Sequence, residues 1–333
     1  MIISKTPFRI SLFGGGTDYA DWVREHGGDV LGFAIDKYCW LTLRRLPPFF
    51  PHRHRIVHSA IELVQTIDEI QHPAAREILR RYYTGTGGLE LHHDGDLPAR
   101  SGLGSSSSFC VGLINALAAL RGQLLDRRYL ASEAIRVEQK ILAENVGSQD
   151  QVWAAYGGFN RIRFHVDGDF TVMPIISAEI RRAEMMKSLL LFYTGTSRVA
   201  SEIAGKQIAG FAGHTAQLHA IAALVPEALD VLYSASTPIR RLGALLDQGW
   251  RMKRELADGV STPQIDEIYA SAKSAGALGG KLLGAGGGGF LLLYVPPEAQ
   301  EDVRARLRPL VEVRFDIARA GSVISIYEPG GLA

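Results

Sequence analysis

Apolar and polar positions follow two patterns along this 333-residue chain. Runs rich in apolar, β-branched and aromatic residues predict strands at 2–13, 29–46, 87–92, 169–174, 187–193, 290–295, 312–318 and 322–328. Helical spacing of apolar residues predicts helices at 17–28, 67–83, 106–122, 126–143, 199–256, 263–276 and 297–310. Because strands and helices alternate without a strict period, the chain is predicted to be α+β. The change of pattern near residue 180 predicts two domains, 1–180 and 181–333.

Two local features qualify these elements. Pro7 interrupts the first strand and indicates either an edge position or a bend. Asp18 precedes the first helix and is a candidate N-cap, while Gly27 and Gly28 are candidates for its end.

Three glycine clusters punctuate the chain, at 14–16, 101–104 and 284–289. One such cluster by itself is typical of a tight turn. The middle cluster, "SGLGSSSS", opens directly into a helix, and a helix N-terminus offers unpaired N–H groups and a positive dipole end to an anion. An N-cap explains only one of the four serines. The spacing matches neither a Walker A loop nor a dinucleotide-binding fingerprint.

Composition and charge narrow the classes of partner. The chain has 36 basic and 35 acidic residues, for a formal net charge of +1, and no basic stripe indicates nucleic-acid binding. The two cysteines, Cys39 and Cys110, stand far apart in apolar surroundings, which favours free thiols in a reducing compartment. No signal peptide or membrane span is predicted at the N-terminus, so a cytoplasmic protein without a membrane partner is expected. A homodimer stays open beside a monomer.

The three glycine clusters, taken in order with their flanking residues, resemble the motifs of the GHMP small-molecule kinases. The matching segments are "PFRISLFGGGTD", "LPARSGLGSSSS" and "KLLGAGGGG". The resemblance implies an N-terminal domain similar to the second domain of ribosomal protein S5 and a ferredoxin-like C-terminal domain. It also implies ATP in the cleft between the two domains, with Mg²⁺ as the metal.

The same resemblance implies roles for the residues of the second and third motifs. The backbone of Gly102, Leu103, Gly104 and Ser105 would wrap the ATP phosphates. Ser107 would add a hydroxyl donor, and Gly286 and Gly287 would contribute from the third motif. Ser106 and Glu138 would hold Mg²⁺, with Glu144 as a rival to Glu138 and a solvated helix charge as the other interpretation of Glu138.

Asp150 is the candidate catalytic base, because phosphoryl transfer needs a group that orients or deprotonates the attacking hydroxyl. A partly buried carboxylate needs a cationic partner, and the resemblance places Arg9 beside it. A purely structural ion pair is the alternative. The resemblance further implies that Asp18 accepts hydrogen bonds from sugar hydroxyls, together with its neighbours Gly15, Gly16 and Thr17.

Within the family, "GSQDQVWAAYGGFNRIRF" and "LLLFYTGTSRVASEI" are similar to the D-glycero-D-manno-heptose 7-phosphate kinases and to the kinase portion of fucokinases. The implied reaction moves phosphate from ATP to the anomeric hydroxyl of heptose 7-phosphate, on the way to a nucleotide-activated heptose for capsule or lipopolysaccharide. Thr196, Ser197 and Arg198 form a candidate site for the sugar phosphate, with an ordinary capped helix as the alternative. Other anomeric sugar kinases, for fucose, galactose or an N-acetylhexosamine, and a sensor that binds sugar and ATP without turnover, remain alternatives.

Overall fold

The structure, a computed structural model, describes residues 1–195 and 200–330. Its strands fall into two sheets. The strands of the first sheet are β1 Ile2–Phe13, β2 Gly28–Leu46, β3 His54–Val57, β4 Ile61–Val64, β5 Gly88–Gly95, β6 Phe159–Phe164, β7 Phe170–Pro174 and β12 Val323–Tyr327. Those of the second sheet are β8 Leu189–Tyr193, β9 Gly279–Leu282, β10 Phe290–Tyr294 and β11 Val311–Glu312.

The α-helices of the described residues pack around these sheets. They are α1 Ala20–His26, α2 Pro73–Tyr82, α3 Ser105–Leu120, α4 Arg127–Arg136, α5 Gln149–Tyr156, α6 Glu179–Lys187, α7 Ala200–Gly210, α8 Thr215–Tyr233, α9 Arg241–Arg254, α10 Pro263–Ser274 and α11 Gln300–Arg306. A π-helical turn, Val137–Ile141, follows α4, and short 3₁₀ turns stand at Ile67–Glu69, Phe211–Gly213 and Pro297–Ala299.

The first sheet is built around the long strand β2, which pairs antiparallel with β1, β5 and β6. Its main path runs in the order β12-β1-β2-β5-β3-β4. Pro7 therefore lies in an interior strand, and the β1–β2 register shifts between Pro7 and Phe8. Of the two interpretations of Pro7, the bend is correct, since a bulge tolerates a residue that has no N–H.

The second sheet has four antiparallel strands in the order β11-β8-β10-β9. Its strands all come from beyond residue 180, whereas β12 returns from the far end of the sequence to pair with β1. The division at residue 180 thus separates the two sheets except for this last strand, and the domain boundary itself stays a prediction.

Helix α3 carries the glycine–serine motif into the core. Almost all of its residues from Ser107 to Ala119 are buried, and it packs on β1 and β2. Such a helix is apolar on every side and is held by its surroundings rather than by an amphipathic face. Its N-terminus is consequently fixed at the boundary between the two sheets. Among the described residues no single helix meets the length and hydropathy of a membrane span, although the bent pair Ile203–Gly213 and Thr215–Tyr233 meets them jointly.

The second and third glycine clusters cross each other. Gly284 has φ of +75°, and a Cβ added there would stand 2.5 Å from the Cα of Gly102. Real Cβ atoms do not approach a backbone atom this closely, so only glycine allows the two loops to touch. The crossing brings residues from both sheets to one place.

We expect Gly284→Ala to lower the free energy of unfolding by about 2–3 kcal/mol, because it adds a backbone clash to left-handed strain. Urea denaturation monitored by circular dichroism measures the change. Gly168→Ala is the matched control, since Gly168 has φ of +87° and no heavy atom within 4 Å of an added Cβ. It should lose only about 1 kcal/mol, from strain alone. Equal losses in the two variants would contradict the crossing as a tight contact.

Candidate active site

A cavity of about 290 Å³ opens where the three glycine clusters meet. Its wall contains Gly15 and Gly16 of the first cluster, Gly102 and Gly104 of the second, and Gly284 with Ala285 of the third. The clusters are far apart in the sequence, and the two sheets bring them together. The charged side chains of the wall are those of Arg9, Asp18, Arg100, Glu144, Asp150, Lys253 and Lys281.

The N-terminus of α3 points its first residues at this cavity. Gly104 is the N-cap, with φ of +77°, and Ser105 and Ser106 line the cavity behind it. The first N–H groups of a helix have no partner inside the helix, and they carry the positive end of its dipole. The predicted anion-binding geometry is therefore present at Gly102, Gly104, Ser105 and Ser106.

The other two serines have different partners. The Ser107 hydroxyl is buried and donates to Glu138 Oε2 at 2.7 Å, while the Ser108 hydroxyl donates to the Pro7 carbonyl at 2.9 Å. Neither residue is part of the cavity wall. The expected contact between the Ser107 hydroxyl and ATP phosphates thus does not fit its placement, because that hydroxyl faces the protein interior.

Several further residues predicted for the site lie behind the cavity wall and hold its loops in place. The Leu103 side chain is buried, and its carbonyl accepts the Arg9 N–H at 3.0 Å. The buried Thr17 hydroxyl donates to the Gly14 carbonyl at 2.8 Å and holds Asp29. Gly286 and Gly287 lie against Val260, where a Cβ on Gly286 would meet the Val260 backbone at 2.6 Å. These residues shape the loops, and in the described wall of the cavity the third motif is represented by Gly284 and Ala285.

Arg9 and Asp150 form the ion pair that the resemblance implies. Arg9 Nε and Nη2 donate to the two carboxylate oxygens of Asp150, each at 2.7 Å, and Nη1 donates to the Gly102 carbonyl at 2.6 Å. The Arg9 side chain is 6% exposed and that of Asp150 is 22% exposed. A bidentate pair of this kind fixes the direction of both groups. It ties the loop at Gly102 to a carboxylate that remains accessible from the cavity.

Asp18 is buried at the edge of the same cavity. Its Oδ1 accepts from the Gly16 N–H at 3.1 Å and from Gln149 Nε2 at 2.8 Å, and its Oδ2 accepts from the Gln149 N–H at 3.2 Å. Burial, and next the negative charge of Asp150, raises the pKa of Asp18. The N-cap interpretation is wrong, because Tyr19 is the N-cap of α1 and no side chain caps this helix. The C-terminal end of α1 at Gly27 is confirmed.

Glu138 lies beneath the serines on the π-helical turn. It is buried, its Oε2 accepts from Ser107, and a Gln151 amide donates to the same oxygen. Burial raises its pKa to about 7. Its other oxygen, Oε1, is buried and makes no hydrogen bond of normal geometry in the described part of the chain, while the neighbouring Ser106 hydroxyl lowers the pKa of the carboxyl group. An interior carboxylate with an unused oxygen next to Ser106 is not the solvated helix charge of the alternative interpretation.

These donors fit a magnesium ion. Mg²⁺ prefers carboxylate and hydroxyl oxygens and is held by one or two carboxylates together with substrate phosphates. The described residues contain no group of three His, Cys, Asp or Glu side chains arranged around a metal, and a nucleotide-bound Mg²⁺ does not require one. Glu144 lies in the cavity wall, whereas Glu138 is buried behind it against Ser107, so both candidate carboxylates are near the N-terminus of α3.

Sequence reasoning missed two buried lysines. Lys253, at the end of α9, and Lys281, in β9, are 8% and 7% exposed, and both line the cavity. The signal was available for Lys281, which stands in the strand-like "GGKLL" directly before the third glycine cluster. A lysine inside an apolar strand is rarely buried without a reason. Gln149, whose amide orients Asp18, was also missed.

Thr196, Ser197 and Arg198, the candidate site for a sugar phosphate, lie outside the described residues.

Known proteins resemble this chain over its length. The family model for the GHMP kinases N terminal domain matches residues 68–158, and the model for the GHMP kinases C terminal domain matches 229–310. A D-glycero-α-D-manno-heptose 7-phosphate kinase of Campylobacter jejuni is 29% identical over 318 residues, covering 92% of this chain and 93% of that protein. An L-fucokinase/L-fucose-1-P guanylyltransferase of Bacteroides fragilis is 26% identical, and its match covers 92% of this chain but 36% of the relative.

A solved structure, described as a D-glycero-D-manno-heptose 1-phosphate kinase from Bacteroides thetaiotaomicron, superposes with a TM-score of 0.79 at 23% identity. It covers 98% of this chain and is itself covered completely, which confirms the predicted fold. The two family models jointly match more than half of the chain. The matched ranges contain the glycine–serine helix, Asp150 and the third glycine cluster. The chain belongs to the GHMP kinases, a family of phosphotransferases.

Proposed function

We propose that this kinase transfers the γ-phosphoryl group of ATP to the anomeric hydroxyl of D-glycero-D-manno-heptose 7-phosphate, giving heptose 1,7-bisphosphate. The observation that carries the proposal is the Arg9–Asp150 pair, which lies in one cavity with the N-terminus of α3 and with Asp18. The heptose is proposed because the Campylobacter jejuni relative, a heptose 7-phosphate kinase, matches almost the entire chain.

Different groups on the cavity wall would serve different parts of the reaction. N–H groups of Gly104 to Ser106 would bind the ATP phosphates at the helix terminus. Asp150 would accept the proton of the anomeric hydroxyl of the sugar. The oxygen of that hydroxyl would form a bond to the γ-phosphorus of ATP, while the bond from this phosphorus to the β–γ bridging oxygen breaks and ADP leaves. Arg9 would keep Asp150 ionised and oriented, and Asp18 would accept hydrogen bonds from the sugar hydroxyls.

Ser106 and Glu138 would hold Mg²⁺, which neutralises charge on the phosphates when it is bound. The Ser107 and Gln151 side chains hold Oε2 of Glu138, so its Oε1 is the oxygen available to a metal.

Release of ADP with a panel of sugars and sugar phosphates tests this function. The panel contains heptose 7-phosphate, fucose, galactose and N-acetylglucosamine, each at several concentrations with MgATP. We expect the highest kcat/KM for heptose 7-phosphate. Phosphorus NMR of the product should show the new phosphate group at C1. Turnover of a free hexose with none of heptose 7-phosphate would assign another anomeric kinase. Binding of sugar and ATP without turnover would assign a sensor.

A further inference from the structure

Two buried lysines, Lys253 and Lys281, share the cavity with the reacting groups, and the roles proposed above do not use them. Lys253 comes from the end of α9 and donates to the Gly284 carbonyl. Lys281 comes from β9 and donates to the Leu12 carbonyl at 3.1 Å. The second-sheet half of the chain thus supplies both lysines to one cavity wall, and the charge of Lys253 disfavours a charge on Lys281.

The ammonium groups of Lys253 and Lys281 each have unused hydrogen-bond donors. An ammonium group can donate three hydrogen bonds, and in the described part of the chain each of these two makes one. No carboxylate of the described residues lies within 4 Å of either nitrogen. Asp18 and Asp150 interact with Lys253 at longer range only. Their carboxylates accept hydrogen bonds from Gly16, Gln149 and Arg9 instead.

Burying two like charges in this way is costly unless an anion accompanies them. Burial, followed by the positive charge of Arg9, lowers the pKa of Lys253 to about 8. Burial lowers the pKa of Lys281 as well, and the charges of Lys253 and Arg9 lower it further. A dianion bound between the lysines would remove both the repulsion and the unsatisfied donors.

The position of Lys281 indicates which anion this is. Its Nζ lies 3.9 Å from where a Cβ would stand on Gly15, beside the Gln149 amide that orients Asp18. This is the side of the cavity proposed above for the sugar, whereas the nucleotide phosphates already have the N-terminus of α3. We propose that Lys253 and Lys281 form a second anion site that binds the phosphate monoester carried by the sugar acceptor.

This inference rests on the proposed function, because it places the phosphate of a phosphorylated acceptor. It makes the lysine pair a specificity determinant that separates sugar phosphates from free sugars. A phosphate between two desolvated ammonium groups gains charge-assisted hydrogen bonds that a hydroxyl in the same position does not.

Steady-state kinetics of Lys253→Met and Lys281→Met test the assignment, with Lys187→Met as the control that removes one exposed lysine outside the cavity. We expect each cavity variant to raise KM for heptose 7-phosphate at least tenfold while KM for ATP changes less than twofold. The Lys187→Met enzyme should match the wild type. A rise in KM for ATP with an unchanged KM for the sugar phosphate would overturn the proposal and assign the lysines to the nucleotide.

A binding measurement separates this inference from the proposed reaction. Thermal shift of the wild-type protein saturated with a non-hydrolysable ATP analogue, which occupies the N-terminus of α3, is titrated with inorganic phosphate, heptose 7-phosphate and free heptose. Both phosphates should stabilise the protein, and heptose 7-phosphate should stabilise it more than the free sugar does. Lys281→Gln, a polar second variant, should abolish the phosphate-dependent shift. An undiminished shift in Lys281→Gln would overturn the lysine site, whereas a lysine-dependent shift without turnover would overturn only the proposed reaction.

Discussion

Asp150→Asn is expected to lower kcat about a thousandfold with little change in KM for ATP. Removing a positioned general base costs a factor of roughly 10²–10⁴ in rate, and asparagine cannot accept the proton of the sugar hydroxyl. The amide oxygen still accepts one hydrogen bond from Arg9, so the cavity and its phosphate loop should persist. ADP release at saturating substrate measures the effect, and thermal denaturation reports the fold.

Asp169→Asn is the matched control for this variant. Asp169 pairs with Arg128 on the surface, where both side chains are 51% exposed, and an exposed pair contributes little. This control should keep wild-type kcat and melting temperature. If Asp150→Asn kept most of its kcat but melted at a lower temperature, the Arg9–Asp150 pair would be structural, and the base would have to be sought elsewhere.

Glu138→Gln is expected to lower kcat about a hundredfold and to raise the Mg²⁺ concentration needed for half-maximal rate. Losing one electrostatic contact to the reacting phosphates typically costs a factor of about 10²–10³. The thermal stability of the variant should not fall as its kcat does. Burial already disfavours the charge of Glu138 and raises its pKa to about 7. The uncharged amide of the same shape keeps an acceptor for Ser107, so the melting temperature without Mg²⁺ should stay the same or rise.

Glu144→Gln discriminates between the two candidate metal ligands. Glu144 is an exposed residue at the cavity wall. Its carboxyl group is nonetheless partly desolvated, which raises its pKa, so the amide variant keeps the shape of the side chain and removes only the charge. A changed Mg²⁺ requirement in Glu144→Gln, with an unchanged one in Glu138→Gln, would transfer the metal role to Glu144. A lower melting temperature with normal Mg²⁺ dependence in Glu138→Gln would make Glu138 a structural partner of Ser107.

Local patterns predicted most helices and strands of the described chain. The helix that follows the second glycine cluster begins at Ser105, one residue from its predicted start. The prediction was close because the glycines interrupt regular structure and a long apolar run follows them. The stretch predicted as a helix at 126–143 ends instead in a π-helical turn at Val137–Ile141, which carries Glu138. Helix α5, which carries Asp150, was not predicted, since eight residues give too little periodicity for assignment.

The predicted role of the serine run was correct only in part. Successive residues of an α-helix point about 100° apart, so four consecutive serines cannot all face one ligand. Ser105 and Ser106 face the cavity, while Ser107 and Ser108 bind Glu138 and the Pro7 carbonyl. Which serine took which direction depended on the exact first residue of the helix, and that is the least certain feature of any helix prediction.

The sequence by itself determined the three glycine turns and the start of a helix directly after the second of them, and the family resemblance implied the pairing of Asp150 with Arg9 that the structure contains. The turns and the start of the helix follow from local backbone chemistry, because glycine permits positive φ and interrupts regular structure. Only the tertiary structure decided that Lys253 and Lys281 share one cavity, and that Asp18 is held by Gln149 at the start of α5 instead of capping α1. The reason is that burial and proximity arise from the packing of elements that are distant in the sequence, 28 positions for the two lysines and 131 for Asp18 and Gln149, and no local pattern records this packing.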